Sequence, residues 1–260
     1  MHGTHRARVF RYRESECFPA DDVVVREEPL EVRLNGSTLV YLMRLPGDEV
    51  PLVAGFCLSE GLIREPGDLQ LIRHCVEPPG NLVEVQARLS SDAGRFGGRV
   101  IRTGCGGSDM DREAGVEGIR VESRVLFPAS TLIGFPEKML SLQEVFRATG
   151  GTHGAGVFNI SGEPVVVKED VGRHNAVDKA LGHLLLTGEP ASDKCLLLSG
   201  RLSYEMVLKA ARSGVPLICS ISAPTALGVD LAEKTGVTMV GFLRDRGFNV
   251  YSHPERIGGA

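Results

Sequence analysis

Residues 195–243 read CLLLSGRLSYEMVLKAARSGVPLICSISAPTALGVDLAEKTGVTMVGFL, and this stretch decides the fold. It holds three short apolar runs, at 195–198, 216–220 and 237–243. Two segments with helical spacing, 203–213 and 225–234, lie between them. Short apolar runs alternating with helices predict a layered α/β sheet covered on both faces. Working back along the chain, the alternation continues through a helix at 173–186, strands at 165–167 and 156–160, and a helix at 140–148. Working forward, 249–251 reads as a short last strand. Residues 126–260 are therefore expected to form one α/β domain.

The first third is richer in strand signals. Residues 8–13 alternate weakly. Residues 30–44 form two alternating runs around Asn35-Gly36, the strongest short hairpin signal. A helix should start near Glu49 or Pro51, since Leu52, Val53, Phe56, Cys57 and Gly61 recur at helical spacing. Strands at 69–74 and 82–89 flank EPPGN (77–81). Residues 90–125 are rich in Gly, Ser, Asp and Arg and contain RTGCGGSDMDREAGVEG (102–118); they read as a long mobile loop. The expected organisation is thus a smaller, mainly-β α+β region over 1–125, ending in that loop, followed by the α/β domain over 126–260. Neither an internal repeat nor a low-complexity tract is visible.

Bulk composition narrows the class. The 260 residues are 42% hydrophobic and 24% charged, with no Trp. A net charge of -4 argues against long-range attraction to nucleic acid or an anionic membrane. Six cysteines show no C-x-x-C spacing, and Cys57, Cys195 and Cys219 sit in apolar runs, where buried thiols are inert. This pattern predicts a reduced, cytoplasmic protein. The N-terminus has no apolar signal region, and no apolar run approaches the roughly 18 residues of a membrane span.

Cys105 is the first candidate for chemistry. Glycines flank it in Thr103-Gly-Cys-Gly-Gly-Ser. They deny the thiol a packed cage and free backbone N–H groups to stabilise a thiolate. An inconsequential loop cysteine explains the pattern equally well. Four strand-end turns supply the other candidates. Thr152 and His153 follow two glycines, Gly150 and Gly151, which a helix C-cap alone would explain. Asp170, Arg173, His174 and Asn175 crowd a strand-to-helix turn, the usual ligand position in open α/β sheets. Asp178 and Lys179 follow on the same helix, and a capped, solvated helix face is the bland reading. Ser199, Gly200 and Arg201 form a small turn ahead of the N-cap candidate Ser203, a pattern that Ser222 to Thr225 repeats. Phe242, Leu243, Arg244, Asp245, Arg246 and Gly247 close a strand with two arginines suited to bidentate phosphate contact. Each turn has a capping explanation; their convergence on one crevice is harder to dismiss. The zinc deaminase signature, the P-loop, G-x-G-x-x-G after a strand and G-x-S-x-G are all missing.

Five ordered stretches, TGGTHGAGVF, EDVGRHNAVDKALG, LLLSGRLSYEMVLKAARSGVP, SAPTALGVDLAE and FLRDRGFNVYSHPERI, resemble one family: the formate dehydrogenase accessory sulfurtransferases of the FdhD type. The resemblance covers about three-quarters of the chain, from GFCLSEGLI onward. It implies a three-layer C-terminal domain with a cytidine-deaminase-like fold and no zinc site or other structural metal. It implies a sulfurtransferase that takes sulfur from a cysteine desulfurase as a Cys105 persulfide. The sulfur would pass to the molybdenum cofactor, bis(molybdopterin guanine dinucleotide), before insertion into the formate dehydrogenase apoenzyme. Cys105 falls where the family's loop cysteine lies, and Phe242 to Gly247 where its terminal cofactor-binding segment lies. The fold class also implies a homodimer, through a sheet edge or helices. One departure is plain: many members carry C-x-x-C in the loop, whereas this chain has Ser108, so an internal dithiol step is not expected. Two rivals remain at this stage. One is a cofactor-binding chaperone in which Cys105 is idle. The other is a nucleotide hydrolase using His153 or His174, which the missing metal ligands disfavour.

Overall fold

The computed structural model describes residues 3–76, 81–90, 101–102, 116 and 118–259. Cys105, and most of the loop expected around it, lie outside the described residues. The elements in chain order are β1 (Thr4–Arg13), β2 (Glu16–Val25), β3 (Glu28–Leu34), β4 (Ser37–Arg44), α1 (Glu49–Ser59), β5 (Leu69–Cys75), β6 (Leu82–Ala87) and β7 (Ile101–Arg102). Then come β8 (Phe127–Pro128), α2 (Ala129–Ile133), α3 (Phe135–Leu142), α4 (Glu144–Thr149), β9 (His153–Phe158), β10 (Pro164–Asp170) and α5 (Arg173–Thr187). The chain finishes with β11 (Cys195–Leu198), α6 (Tyr204–Arg212), β12 (Leu217–Ser220), α7 (Ala226–Thr235), β13 (Thr238–Arg244), β14 (Gly247–Ser252) and β15 (Ile257–Gly258).

The fold is mixed α/β. A six-stranded sheet runs in the order β10-β9-β11-β12-β13-β14, and its middle strands β11, β12 and β13 are parallel. Alternation along each strand sorts the core into two faces. Leu196, Leu198, Ile218 and Met239 pack on α5, α6 and α7 through Val177, Leu181, Met206, Val207 and Leu231. Leu197, Leu217, Cys219 and Val240 face the other way, onto Leu132, Phe135 and Met139 of α2 and α3. Phe135 stacks on Phe158, with ring centroids 4.3 Å apart.

A second sheet, in the order β5-β6-β3-β4-β7, is covered by α1. Its hairpin turns at Asn35-Gly36, both with positive φ, as that pair predicts. The Asn35 amide also bonds both backbone groups of Ala87, so the turn fixes β6 as well.

The two sheets meet through α1 and α5, which cross at glycines. A Cβ on Gly55 would sit 1.8 Å from the Asp178 carbonyl oxygen, and one on Gly182 would sit 1.8 Å from the Pro51 carbonyl oxygen. Only hydrogen fits at either point, and that permits backbone-to-backbone approach.

Three expectations change. β1 starts at Thr4 and pairs along its whole length with β2, a strand that alternation alone did not reveal. The helix expected at 140–148 is two helices, α3 and α4, broken at Gln143, whose side chain is buried against Gly154. Residues 119–125, expected on the N-terminal side of a boundary at 125/126, pack with the C-terminal core. Val121 is buried beside Leu231 and Val237, its N–H donates to the Thr235 carbonyl, and Arg256 donates to the carbonyls of Val121 and Ser123.

Candidate functional site

The topology gathers the strand-end turns. In the antiparallel β9–β10 pair His153 sits opposite Asp170, and β11 ends beside the start of β9. The ends of β12 and β13 follow in parallel. Thr152–His153, Asp170–Arg173, Ser199–Arg201, Ser220–Ala223 and Phe242–Gly247 therefore share one edge of the sheet. Hydrogen bonds tie neighbouring turns together. Ser220 Oγ donates to the Gly200 carbonyl at 2.6 Å, Leu202 N–H to the Ala223 carbonyl at 3.1 Å, and Phe242 N–H to the Ser222 carbonyl at 3.0 Å.

At the centre, Ser199 Oγ accepts the Gly154 N–H at 3.0 Å and lies 3.2 Å from His153 Nδ1. Gly200 leaves room for Arg173: a Cβ there would come 3.2 Å from Arg173 Cδ and 3.8 Å from His153 Nδ1. Burial, then the nearby Arg173 guanidinium, lowers the His153 pKa, so this imidazole is neutral at neutral pH. Arg173 Nε is buried and has no hydrogen-bond partner among the described residues. Such an orphaned donor is costly unless a ligand or water meets it.

Beside this cluster opens a cleft of about 660 Å³. One wall is Thr152, His153 and Ser199. Leu140 of α3, Phe146 of α4 and Gln143 between the two helices also line it, with Val171 and Ile221. Glu169 holds the start of α4 in place there. Its carboxylate accepts the Val145 and Phe146 N–H groups at 3.0 and 2.7 Å, and the Thr152 hydroxyl at 2.8 Å. Sequence reasoning missed this part of the lining. The signal in the sequence was two apolar residues, Leu140 and Phe146, just ahead of the Gly150-Gly151 turn.

Not every expected residue reaches the cleft. Asp170 and Asn175 are buried at 0% and 2% exposure. Asp170 Oδ2 accepts the Leu45 N–H and pairs with Lys179 at 2.8 Å; its Oδ1 accepts from Gly172 and Asn175. Asn175 also donates to the Met43 carbonyl, and Lys179 to the Leu45 carbonyl. These groups lash α5 to β4 and its following turn, so they are removed from the contact set. Leu243 is removed too, because it is fully buried beneath the sheet. His174 belongs with Lys209 and Glu60 behind the site, where burial first and then Lys209 hold its pKa down to about 4. Arg201, Arg244, Asp245 and Arg246 are exposed along the edge, outside the cleft lining. Phe242 is 39% exposed with φ of 53°, a left-handed conformation rare for a bulky residue, at the register shift between Gly241 and Arg244 in the β13–β14 pair.

The glycines of 149–156 also divide by purpose. Gly150 is the left-handed C-cap of α4. Gly151 makes room for Val25, and Gly154 for Gln143. Close approach there is by the chain itself. Among the described residues, no group of three or more His, Cys, Asp or Glu is placed to hold a metal ion, and no helix is long and apolar enough to cross a membrane.

A family model described as FdhD/NarQ matches residues 25–258. The chain belongs to the FdhD/NarQ family. A relative named sulfur carrier protein FdhD, from Sulfurisphaera tokodaii, is 41% identical over 256 residues, covering 97% of this chain and 98% of its own. One of the same name from Streptomyces coelicolor is 39% identical over 272 residues, covering 98% and 95%. A crystal structure from Desulfotalea psychrophila, assigned as a formate dehydrogenase accessory protein, is 30% identical with a TM-score of 0.82 and covers 98% of this chain and 100% of its own. The FdhD/NarQ match includes the sheet-edge turns and the cleft wall in full.

Proposed function

We propose that this chain is a cytoplasmic sulfur carrier for formate dehydrogenase maturation. Family membership carries that reading, together with relatives that bear the name sulfur carrier protein. In it, the Cys105 thiolate attacks the outer sulfur of a cysteine desulfurase persulfide. A new S–S bond forms at Cys105, the desulfurase S–S bond breaks, and the desulfurase cysteine leaves as thiolate. The outer sulfur then passes to the molybdenum cofactor, bis(molybdopterin guanine dinucleotide), which is the cargo. Release as sulfide takes two electrons. Because Ser108 replaces a second loop cysteine, an external thiol attacks the Cys105 sulfur, the persulfide S–S bond breaks and sulfide leaves; a second external thiol then resolves the mixed disulfide, freeing Cys105 and leaving as the external disulfide. The charged cofactor is then handed to the formate dehydrogenase apoenzyme.

The site has the donor set for such a cargo. Ring systems fit against Leu140 and Phe146. Phosphates fit along the turns, where Arg173 Nε lacks a partner among the described residues and Arg201, Arg244 and Arg246 are exposed. The neutral His153, held by Ser199, can donate or accept at the boundary between the two. We read the six-stranded domain as a zinc-free relative of the cytidine deaminase fold, with nucleotide binding kept and hydrolysis lost.

The test is mass spectrometry of the full chain after incubation with a cysteine desulfurase and cysteine. Sulfur carriage adds about 32 Da to the peptide holding Cys105. A Cys105→Ala chain should gain nothing there, still bind purified cofactor, and leave formate dehydrogenase inactive. An unmodified wild-type Cys105, with dehydrogenase activity intact in the Ala variant, would leave only a cofactor chaperone.

A further inference from the structure

The β1–β2 arm is a two-stranded ribbon whose outer edges are finished differently. Its turn, Glu14-Ser15, has positive φ at both residues, so Arg13 and Glu16 close the ladder as a hydrogen-bonded pair. The register then runs without a shift to Thr4 opposite Val25. Bonded and non-bonded pairs therefore alternate. Arg13, Arg11, Val9, Ala7 and His5 turn their backbone groups toward β2, and Arg6, Arg8, Phe10 and Tyr12 turn theirs outward. Three observations agree with that phase. The Arg26 N–H donates to the Gly3 carbonyl at 2.8 Å, Pro19 stands opposite Phe10, where the ladder needs no N–H, and the Val23 N–H donates to the Asp22 carboxylate at 2.8 Å instead of crossing to β1.

The outer edge of β2 is closed. Pro19 offers no N–H in the middle of it, and the Val23 N–H is already held by Asp22. The outer edge of β1 is open. Among the described residues, no strand pairs with it, the outward backbone groups of Arg6, Arg8, Phe10 and Tyr12 have no partner, and all four residues are exposed. They span about 20 Å of strand. A two-stranded ribbon is marginal in water, and a third strand is what it lacks.

Side chains decide what can pair there. β1 carries Arg6, Arg8, Arg11 and Arg13 and no acid; the acids of the ladder, Glu16, Asp21 and Asp22, are all on β2. An added strand lies against β1 alone, so it meets the arginines. Edge charges ordinarily keep strands apart. These repel a basic strand, whereas an acidic one finds an opposite charge at each cross-strand position. Phe10 and Tyr12, 73% and 75% exposed, continue the Arg6–Arg8 face toward the tip.

We infer that the free edge of β1 is a docking site for an extended, acidic segment of a partner protein, which joins the arm as a third, antiparallel strand. Its apolar residues lie beside Tyr12 and Phe10, and its acidic residues follow, beside Arg8 and Arg6. The base of the arm rests on the cleft, because Val25 packs on Gly151, which lines it. A partner held on β1 is thereby held next to whatever the cleft carries. The inference goes beyond the sulfur-carrier reading and stands without it.

Fluorescence anisotropy of a labelled peptide, Thr-Val-Thr-Val-Thr-Glu-Thr-Glu-Thr, titrated with the full chain tests it. Binding should saturate in the high-micromolar range, and replacing both Glu by Lys should weaken it at least about tenfold. Arg8→Pro removes an outward N–H and no ladder bond, so the arm should keep its circular dichroism and bind the peptide at least about tenfold more weakly. Arg8→Ala drops the charge but keeps the N–H and should lose no more than about fivefold. Asp21→Pro, on the closed edge, should bind no worse than the wild type. Hydrogen exchange needs no variant: the amides of Arg6, Arg8, Phe10 and Tyr12 should exchange quickly in the free chain and slow when the peptide is added. No saturation by about 1 mM chain, equal affinity for the Lys peptide, or indifference to Arg8→Pro would each overturn the inference. So would a change in the chain's own sedimentation on Arg8→Pro with no peptide bound by the wild type, which would give the edge to a second copy.

Discussion

The α1–α5 seam and the sheet-edge site are built from the same kinds of residue, and they differ in how completely those residues are satisfied. At the seam, Lys209 Nζ lies within 2.8–3.0 Å of Ser59, Glu60 and both Asp178 oxygens, and Ser59 donates to Asp178 at 2.6 Å. Lys179 and Asp170 are closed in the same way. At the edge, Arg173 Nε has no partner among the described residues, Phe242 holds a left-handed backbone, and His153 lines an open cleft. In these two places the filled polar groups hold the frame and the unfilled one lies at the sheet edge; Arg44 Nε, His74 Nε2 and Ser213 Oγ, away from that edge, are likewise buried without a partner among the described residues. The sequence places both kinds in one motif, EDVGRHNAVDK.

Breaking the frame should cost most. Lys209→Met removes a cation held 2.9 Å from Asp178, leaving that carboxylate fully buried beside Glu60. An uncompensated buried charge costs about 3–5 kcal/mol. Urea denaturation should show the unfolding free energy falling by that amount, as a lower midpoint at unchanged slope. A loss under about 1 kcal/mol would mean the seam is not held by its charges.

Gly182→Ala comes next. The added methyl would overlap the Pro51 carbonyl oxygen, which is backbone and cannot rotate away. The helices must part, at about 3 kcal/mol by the upper range for overpacking. Gly150→Ala, with nothing within 4 Å of the new Cβ, makes the control; its φ of 66° limits the penalty to roughly 1 kcal/mol.

The sheet was legible in the sequence because its strands are short apolar runs and Asn35-Gly36 can serve only a narrow set of turns. The arm was only faintly legible, as the weak alternation at 8–13, because the ribbon has no fully buried face to impose a period on its sequence. The site was half legible. Of the turn residues expected at a ligand edge, Thr152, His153 and Ser199 line the cleft. Which polar residues turn inward could not be read, because Asp170 and Asn175 find their partners at Met43 and Leu45, more than 120 residues away. The space left by Gly151 and Gly154 is likewise filled from afar in sequence or from a neighbouring helix end, by Val25 and Gln143.

Acidification sharpens the comparison. The folded chain prefers His174 neutral, since burial, Lys209 and Arg173 hold it down to about 4. Its contribution is complete above the ordinary value of 6.5 and is lost as pH falls from there toward 4. Asp178 runs the other way. Burial pushes it up to about 6, so its contribution is present below 3.8 and is lost as pH rises through 6. The two partly cancel in the wild type between pH 7 and 5. His174→Gln removes only the first, so the variant should gain on the wild type by up to about 2 kcal/mol across that window. Parallel stability curves for the two chains would show that His174 titrates normally.

The smallest change in stability should accompany the largest relative change in binding. Ser199→Ala deletes a hydroxyl that accepts from Gly154 and steadies His153. The Gly154 N–H keeps no substitute there, yet the site borders a cleft that water can enter, so the loss is about 1 kcal/mol. Freed from Ser199, the imidazole samples other rotamers. Affinity for purified molybdenum cofactor, measured by calorimetry, should fall about tenfold, the effect of one lost neutral hydrogen bond. Ser199→Thr keeps the hydroxyl and should recover most of it. Suppose instead that Ser199→Ala destabilises as much as Lys209→Met and leaves cofactor binding untouched. Ser199 would then belong to the frame, and the distinction between filled and open valence would fail at the residue where it is drawn most finely.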